Sequence, residues 1–98
     1  MHRIAVFASG KGTNFEAIAA ACSSKELDAR VVLLVCDKPQ AEVVAKAARL
    51  GIECFAFSAK EYSSKAEYEQ KIVELLDSKG VELVCLAGYM RIVGSVLL

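Results

Sequence analysis

The stretch IAVFASGKGTNFEAIAAAC, residues 4–22, decides the fold of this chain. Its apolar run over Ile4–Ala8 is typical of a parallel strand that is covered on both faces. The loop SGKGTN follows with two glycines, a residue type that permits positive φ and close backbone approach. Thr13 and Glu16 then have the spacing of a capping box, which predicts a helix that begins at or near Thr13. Strand, glycine loop and helix therefore follow one another without a gap.

The glycine loop is a candidate anion-binding site. Amide N–H groups at the start of a helix lack intrahelical acceptors, and the positive end of the helix dipole attracts negative charge. We therefore expect the amides of Gly12, Thr13 and Asn14 to bind a phosphate. The loop is not a Walker P-loop, because Thr13 and Asn14 stand where that motif has Lys and Ser or Thr. Two alternatives are a turn without a ligand and a dinucleotide-binding turn in which Phe15 replaces the third glycine.

The composition excludes several classes of protein. The 98 residues, 55% of them apolar, suffice for one compact domain over residues 1–98. Twelve basic and twelve acidic residues cancel and form no basic run, so we expect no nucleic-acid partner. No apolar run approaches the ~20 residues of a membrane span and no signal peptide is recognisable, so we expect a cytoplasmic protein without membrane contact. The four cysteines lack CxxC spacing, which favours buried reduced thiols over a metal site or disulfides.

The rest of the sequence alternates apolar strands with amphipathic helices. Further strands are predicted over residues 29–36, 52–57 and 81–86, and helices over residues 14–24, 41–50 and from a second capping box at Ser64 to Gly80. This alternation predicts an α/β fold, an open parallel sheet in the order 3-2-1-4 with helices on both faces. In that order the loops after strands one and four meet at the carboxyl edge of the sheet, where such folds bind ligands.

Four features together resemble the phosphoribosylglycinamide formyltransferase family over the whole chain: SGKGTN, KPQAEVVAKAARLGI, the helix start over residues 65–68 and LAGYMRIV. The resemblance implies a Rossmann-like formyltransferase fold. It also implies transfer of a formyl group from 10-formyltetrahydrofolate to the amine of phosphoribosylglycinamide, a step of purine biosynthesis. The partners it implies are two small molecules, the ribotide phosphate and the folate, and no metal is implied.

Site residues follow from the same resemblance, position by position. The residues that match the family's ribotide-phosphate loop are Gly12, Thr13 and Asn14. The residues that match the segment around the folate pterin ring are Met90, Arg91, Ile92 and Val93. Apolar side chains with free backbone hydrogen-bonding groups suit a flat heterocyclic ring. Lys65 stands where the family usually has an arginine associated with the folate, and a lysine keeps the charge without the planar fork.

The family's catalytic Asn-x-His and its Asp lie beyond strand four. The resemblance therefore implies an N-terminal half, truncated after strand four, with no catalytic residue in this chain. We expect these residues alone to be inactive, and to self-associate through the sheet edge and the apolar tail at 96–98. The single histidine, His2, is expected at the surface. The alternatives are a dinucleotide-binding Rossmann module with Asp37 as its ribose-binding acid, and an interaction fragment.

Overall fold

Parallel strands form one sheet in the order β3-β2-β1-β4. The computed structural model describes residues 2–86. The strands are β1 His2–Ala8, β2 Ala29–Cys36, β3 Cys54–Ala56 and β4 Leu83–Leu86, and the helices are α1 Thr13–Ser23, α2 Glu42–Arg49 and α3 Lys65–Ser78. All three strand pairings are parallel. The predicted fold class and strand order are therefore confirmed.

Different helices cover the two faces of the sheet. On one face, α1 and α2 contribute the fully buried side chains of Phe15 and Val43. On the other face, α3 contributes Tyr68 and Ile72. Because β1 lies between these layers and has a neighbouring strand on each side, its residues from Ile4 onward are buried on both faces. This double burial explains why its sequence is a continuous apolar run without alternation.

Strands β3 and β4 are shorter than the sequence predicts. The residues ahead of each strand still belong to the end of the preceding helix. The amide of Ile52 donates to the carbonyl of Ala47 at 2.9 Å, and that of Val81 donates to the carbonyl of Leu76 at 3.1 Å. Each preceding helix thus ends in a turn whose backbone hydrogen bonds use the first residues of the predicted strand.

The capping box at the start of α3 is confirmed, except that the Glu67 carboxylate binds Ser63, one residue before the N-cap. The hydroxyl of Ser64, the N-cap, accepts a hydrogen bond from the amide of Glu67 at 3.3 Å. The carboxylate of Glu67 in turn accepts from the amide of Ser63 at 2.7 Å and from the Ser63 hydroxyl. Hydrogen bonds from Ser63 lower the pKa of Glu67, with the larger effect from its hydroxyl and a smaller one from its amide. The carboxylate therefore fixes the residue before the cap as well as the cap itself.

Candidate anion-binding loop

The carboxyl ends of the strands lie side by side at one edge of the sheet. Ala8 pairs with Cys36, which pairs with Ala56, and Phe7 pairs with Leu86 on the other side. The loop after β1 therefore starts at the centre of this edge, between the chain that leaves β2 and the chain that leaves β4. This is the edge at which open α/β sheets bind ligands.

The helix that follows the loop begins on a left-handed glycine. Gly12 is the N-cap of α1, with φ 82° and ψ 25°, and its carbonyl accepts the amide of Glu16 at 2.8 Å. The predicted helix start at or near Thr13 is confirmed, but the capping box with Glu16 does not form, because Thr13 is already helical and no side-chain cap bond is made there. The Glu16 carboxylate is bound to Lys46 instead. The amides of Gly12, Thr13 and Asn14 therefore come before the first amide that bonds within the helix, and no side chain caps them.

The two glycines of the loop have different roles. A Cβ atom on Gly12 would lie 2.5 Å from Cγ2 and 2.8 Å from Cβ of Val43, whereas a Cβ on Gly10 would meet nothing within 4 Å. Positive φ is found at Gly12, Gly51 and Gly80 among the glycines of residues 2–86. Gly12 is thus required both by its backbone conformation and by the close approach of α2, a packing role that the sequence pattern does not reveal.

Helix α2 holds the loop through two polar contacts as well. The amide of Val43, in the first turn of α2, donates to the carbonyl of Gly10 at 3.1 Å. Lys46 forms an ion pair with Glu16, and the Lys46 side chain is only 16% exposed whereas that of Glu16 is 51% exposed. The contacting residues are about thirty positions apart in the sequence, so no local motif could have predicted them.

Access to the loop comes from solvent above it. Gly10, Lys11, Thr13 and Asn14 are exposed, and Gly12 is half-buried. A ligand could therefore reach the amides at the start of α1 without a rearrangement of the core. Lys11 is not among the site residues predicted from the sequence, although a cation inside a glycine loop is a signal for an anion site.

Two side chains disfavour a dinucleotide site. Phe15 of α1 stands where a dinucleotide fingerprint has its third glycine. Its side chain is fully buried between the helix and the sheet. Asp37, the candidate ribose-binding acid, is only 4% exposed at the end of β2. An acid that binds a ribose diol must face the ligand, and this one is enclosed by protein.

The other predicted site residues lie on a helix that covers the opposite face of the sheet from α1, in the first strand, or outside the described part of the chain. Lys65 is the exposed first residue of α3, a helix that starts after β3 and leads back to β4. Met90 to Val93, the predicted folate segment, follow residue 86 and lie outside the described residues. His2 is at the amino end of β1 with 70% of its side chain exposed, beside Glu82, as expected for a surface histidine.

The cysteines are thiols without disulfides. Cys36 is buried as predicted, whereas Cys22, Cys54 and Cys85 are half-buried. Burial, with a smaller contribution from the neighbouring Cys36, raises the pKa of Cys54 to about 11. Within residues 2–86 no group of His, Cys, Asp and Glu side chains has an arrangement that could hold a metal ion. Over the same residues, no helix combines the length and the apolar content needed to cross a bilayer.

The family model for formyl transferases matches residues 2–98 of this chain. The chain belongs to the formyl transferase family. It is 52% identical over 98 residues to phosphoribosylglycinamide formyltransferase of Bacillus subtilis (strain 168), an alignment that covers 100% of this chain and 50% of the relative. It is 36% identical over 92 residues to the Haemophilus influenzae enzyme of the same name, which covers 94% of this chain and 43% of that relative.

Solved structures of formyl transferases share the fold. Glycinamide ribonucleotide transformylase 1 from Geobacillus kaustophilus superposes with a TM-score of 0.96 at 50% identity, covering 99% of this chain and 52% of that one. Phosphoribosylglycinamide formyltransferase from Bacillus halodurans gives a TM-score of 0.92 at 45% identity, covering 97% of this chain and 49% of that one. The resemblance stated from the sequence motifs is therefore confirmed, and the chain spans about half the length of the relatives it matches.

Proposed function

We propose that this formyl transferase chain binds the ribotide phosphate in a phosphoribosylglycinamide formyltransferase of purine biosynthesis. In the proposed reaction, the formyl group of 10-formyltetrahydrofolate passes to the amine of phosphoribosylglycinamide. The observation that carries the proposal is the start of α1, where a left-handed Gly12 presents helix amides without a side-chain cap at the centre of the carboxyl edge. The names of the similar proteins from Bacillus subtilis and Geobacillus kaustophilus support this choice of substrate.

The loop has the chemistry that a phosphate monoester requires. The amides of Gly12, Thr13 and Asn14 would donate to phosphate oxygens, while the dipole of α1 adds a partial positive charge. Lys11 is exposed within the same loop and supplies a full positive charge. A phosphate monoester carries a charge of about −1.5 to −2 at neutral pH, so both contributions favour its binding. The chain as a whole has a formal net charge of zero, which leaves this attraction local.

The proposed folate contacts are Met90, Arg91, Ile92 and Val93, with Lys65 as a further cation. They are carried by the family resemblance, and 10-formyltetrahydrofolate would supply the formyl group. Strand β4 ends at Leu86, which pairs with Phe7 of β1 near the edge of the sheet where the phosphate loop begins.

We further propose that these 98 residues alone do not transfer formyl groups. Attack of an amine on a formyl carbon builds negative charge on oxygen and requires removal of a proton from nitrogen. The single histidine of the sequence is the first residue of β1, roughly 20 Å from the loop at the other end of that strand. It is therefore too far from the loop to act as the general base for the ribotide amine. A formyl-transfer assay on the 98-residue chain tests this, and turnover would contradict it.

The phosphate site is tested by amide NMR with a substitution that preserves the helix. Phosphoribosylglycinamide and inorganic phosphate should shift the amides of Gly12, Thr13 and Asn14. Asn14→Asp places a carboxylate in the first turn of α1, where it favours the helix but repels a phosphate. Unit charges a few ångströms apart interact by about 1 kcal/mol at the dielectric constant of water, and a phosphate monoester carries a charge of about −1.5 to −2, so the substitution should weaken binding of both ligands more than tenfold.

A matched control separates local charge from net charge. Gln70→Glu introduces the same change of charge at an exposed site on α3 and should leave the affinity for phosphate within a factor of two. The proposal fails if the loop amides do not move in the wild-type chain. It also fails if Asn14→Asp and Gln70→Glu weaken binding equally.

A further inference from the structure

A carboxylate lies close to the proposed anion site. Glu16 is the residue whose amide closes the first turn of α1 on Gly12, so it is one helical turn, or about 5.4 Å along the axis, from the start of the helix. Helical side chains lean toward the amino end of their helix, which brings this carboxylate back toward the loop amides. An unneutralised Glu16 would therefore repel a phosphate bound there.

Lys46 neutralises this carboxylate from a different helix. Its ammonium group pairs with Oε1 of Glu16, and its side chain is 16% exposed, so solvent screens the pair less than it screens two fully exposed charges. Other contacts already hold α2 against the loop, namely the amide of Val43 on the Gly10 carbonyl and the packing of Val43 on Gly12. The ion pair is thus not needed to dock the helix.

We infer that Lys46 is a positioning residue for the anion site, which acts through Glu16 by cancelling the negative charge beside the loop. The inference rests on the proposed phosphate site and adds to it a residue outside the loop. Lys46 lies within the KPQAEVVAKAARLGI motif, but the sequence pattern assigns it no role in the site. Removal of Lys46 leaves no buried charge without a partner, because half of the Glu16 side chain is exposed. Loss of Lys46 should therefore change anion affinity far more than it changes folding.

The test is a pair of substitutions and their combination, read by titration of the loop amides with ribose 5-phosphate. Lys46→Met retains the apolar stem and removes the charge, so it should weaken binding about fivefold at pH 8. The loss should be smaller at pH 5, because a phosphate monoester has its second pKa near 6 and carries only about one negative charge there. Glu16→Gln should bind at least as tightly as the wild type, and the double variant should return to within twofold of it.

Lys71→Met is the matched control, since it removes the same charge from an exposed position on α3 and should leave the affinity unchanged. Thermal unfolding of each variant verifies that the fold persists. The inference is overturned if Lys46→Met binds like the wild type, if the double variant does not recover, or if Glu16→Gln loses as much affinity as Lys46→Met. Absence of any loop response in the wild-type chain would instead remove the phosphate site itself, and this inference with it.

Discussion

Substitution of Gly12 by alanine should destabilise the chain more than alanine at any other glycine of residues 2–86. Two separate costs combine at this position. The φ of 82° lies in the left-handed region, which costs a residue with a Cβ atom about 1–2 kcal/mol. The added Cβ would also lie 2.5 Å from Cγ2 of the fully buried Val43, and overpacking of this kind costs about 1–3 kcal/mol. Together they predict a loss of about 2–5 kcal/mol in the free energy of unfolding.

Two other glycines separate these costs. Gly51 has a φ of 70° but open space around its Cα, so Gly51→Ala should show only the backbone cost of about 1–2 kcal/mol. Gly10 has neither a positive φ nor a neighbour within 4 Å of an added Cβ. Gly10→Ala should therefore be neutral, or stabilising by up to about 1 kcal/mol through the unfolded chain.

Urea unfolding followed by circular dichroism measures the series, with linear extrapolation to water. Val43→Ala removes both γ-methyl groups, including the Cγ2 that a Cβ on Gly12 would meet at 2.5 Å, and leaves the Val43 Cβ in place. Combined with Gly12→Ala, it should therefore destabilise by less than the sum of the two single variants. Equal stability of the Gly12 and Gly51 variants would refute the packing argument, and equal stability of the Gly12 and Gly10 variants would refute the backbone argument as well.

Three further predictions follow from other parts of the chain. Ser63→Ala should raise the pKa of Glu67 toward its ordinary value, because hydrogen bonds from Ser63 lower it, and carboxyl NMR measures the change. The stability that these hydrogen bonds give to α3 is fully present above the ordinary carboxyl pKa. It is lost as the pH falls through the lowered pKa. Cys54, with its pKa raised to about 11, should alkylate far more slowly at pH 8 in the folded chain than in urea, and equal rates would contradict its burial. Leu83 and Leu86 on β4 are 59% and 60% exposed, so any self-association of the chain seen by sedimentation should weaken when both become lysine, and unchanged association would place the contact elsewhere.

Local signals in the sequence were sufficient for most of the fold. Apolar runs marked the strands, and the glycines that follow α2 and α3 have the positive φ values expected of helix ends. The strand order followed from alternation and right-handed crossovers. One irregularity in the register had no signal: Ile4 pairs with Val31 and Ala5 with Leu33, so Val32 is an extra residue in β2. A strand buried on both faces has no polar alternation that would reveal such a bulge.

The candidate site was predictable only where its groups belong to the backbone. Two glycines and a helix start sufficed to place the amides of Gly12, Thr13 and Asn14, since such amides are a consequence of chain geometry. The partner of Glu16 was not predictable. Its carboxylate could bond the start of its own helix or a lysine thirty positions away, and the sequence does not show which of these two interactions forms. The folded chain selects Lys46, a choice that depends on how α2 packs against α1.

The pairing of Glu16 with Lys46, in place of a capping box, affects the loop in two ways. A capping box at Thr13 would have satisfied one helix amide internally and directed Glu16 toward the amino end of α1. With Gly12 as a left-handed cap and Glu16 paired with Lys46, no side chain caps the helix amides and the Glu16 carboxylate is neutralised. The absence of a side-chain cap and the neutralised carboxylate both favour an anionic ligand. Both depend on α2, because Val43 packs against Gly12 and Lys46 forms an ion pair with Glu16. Anion affinity in this chain should therefore respond to substitutions in α2 that never touch the ligand.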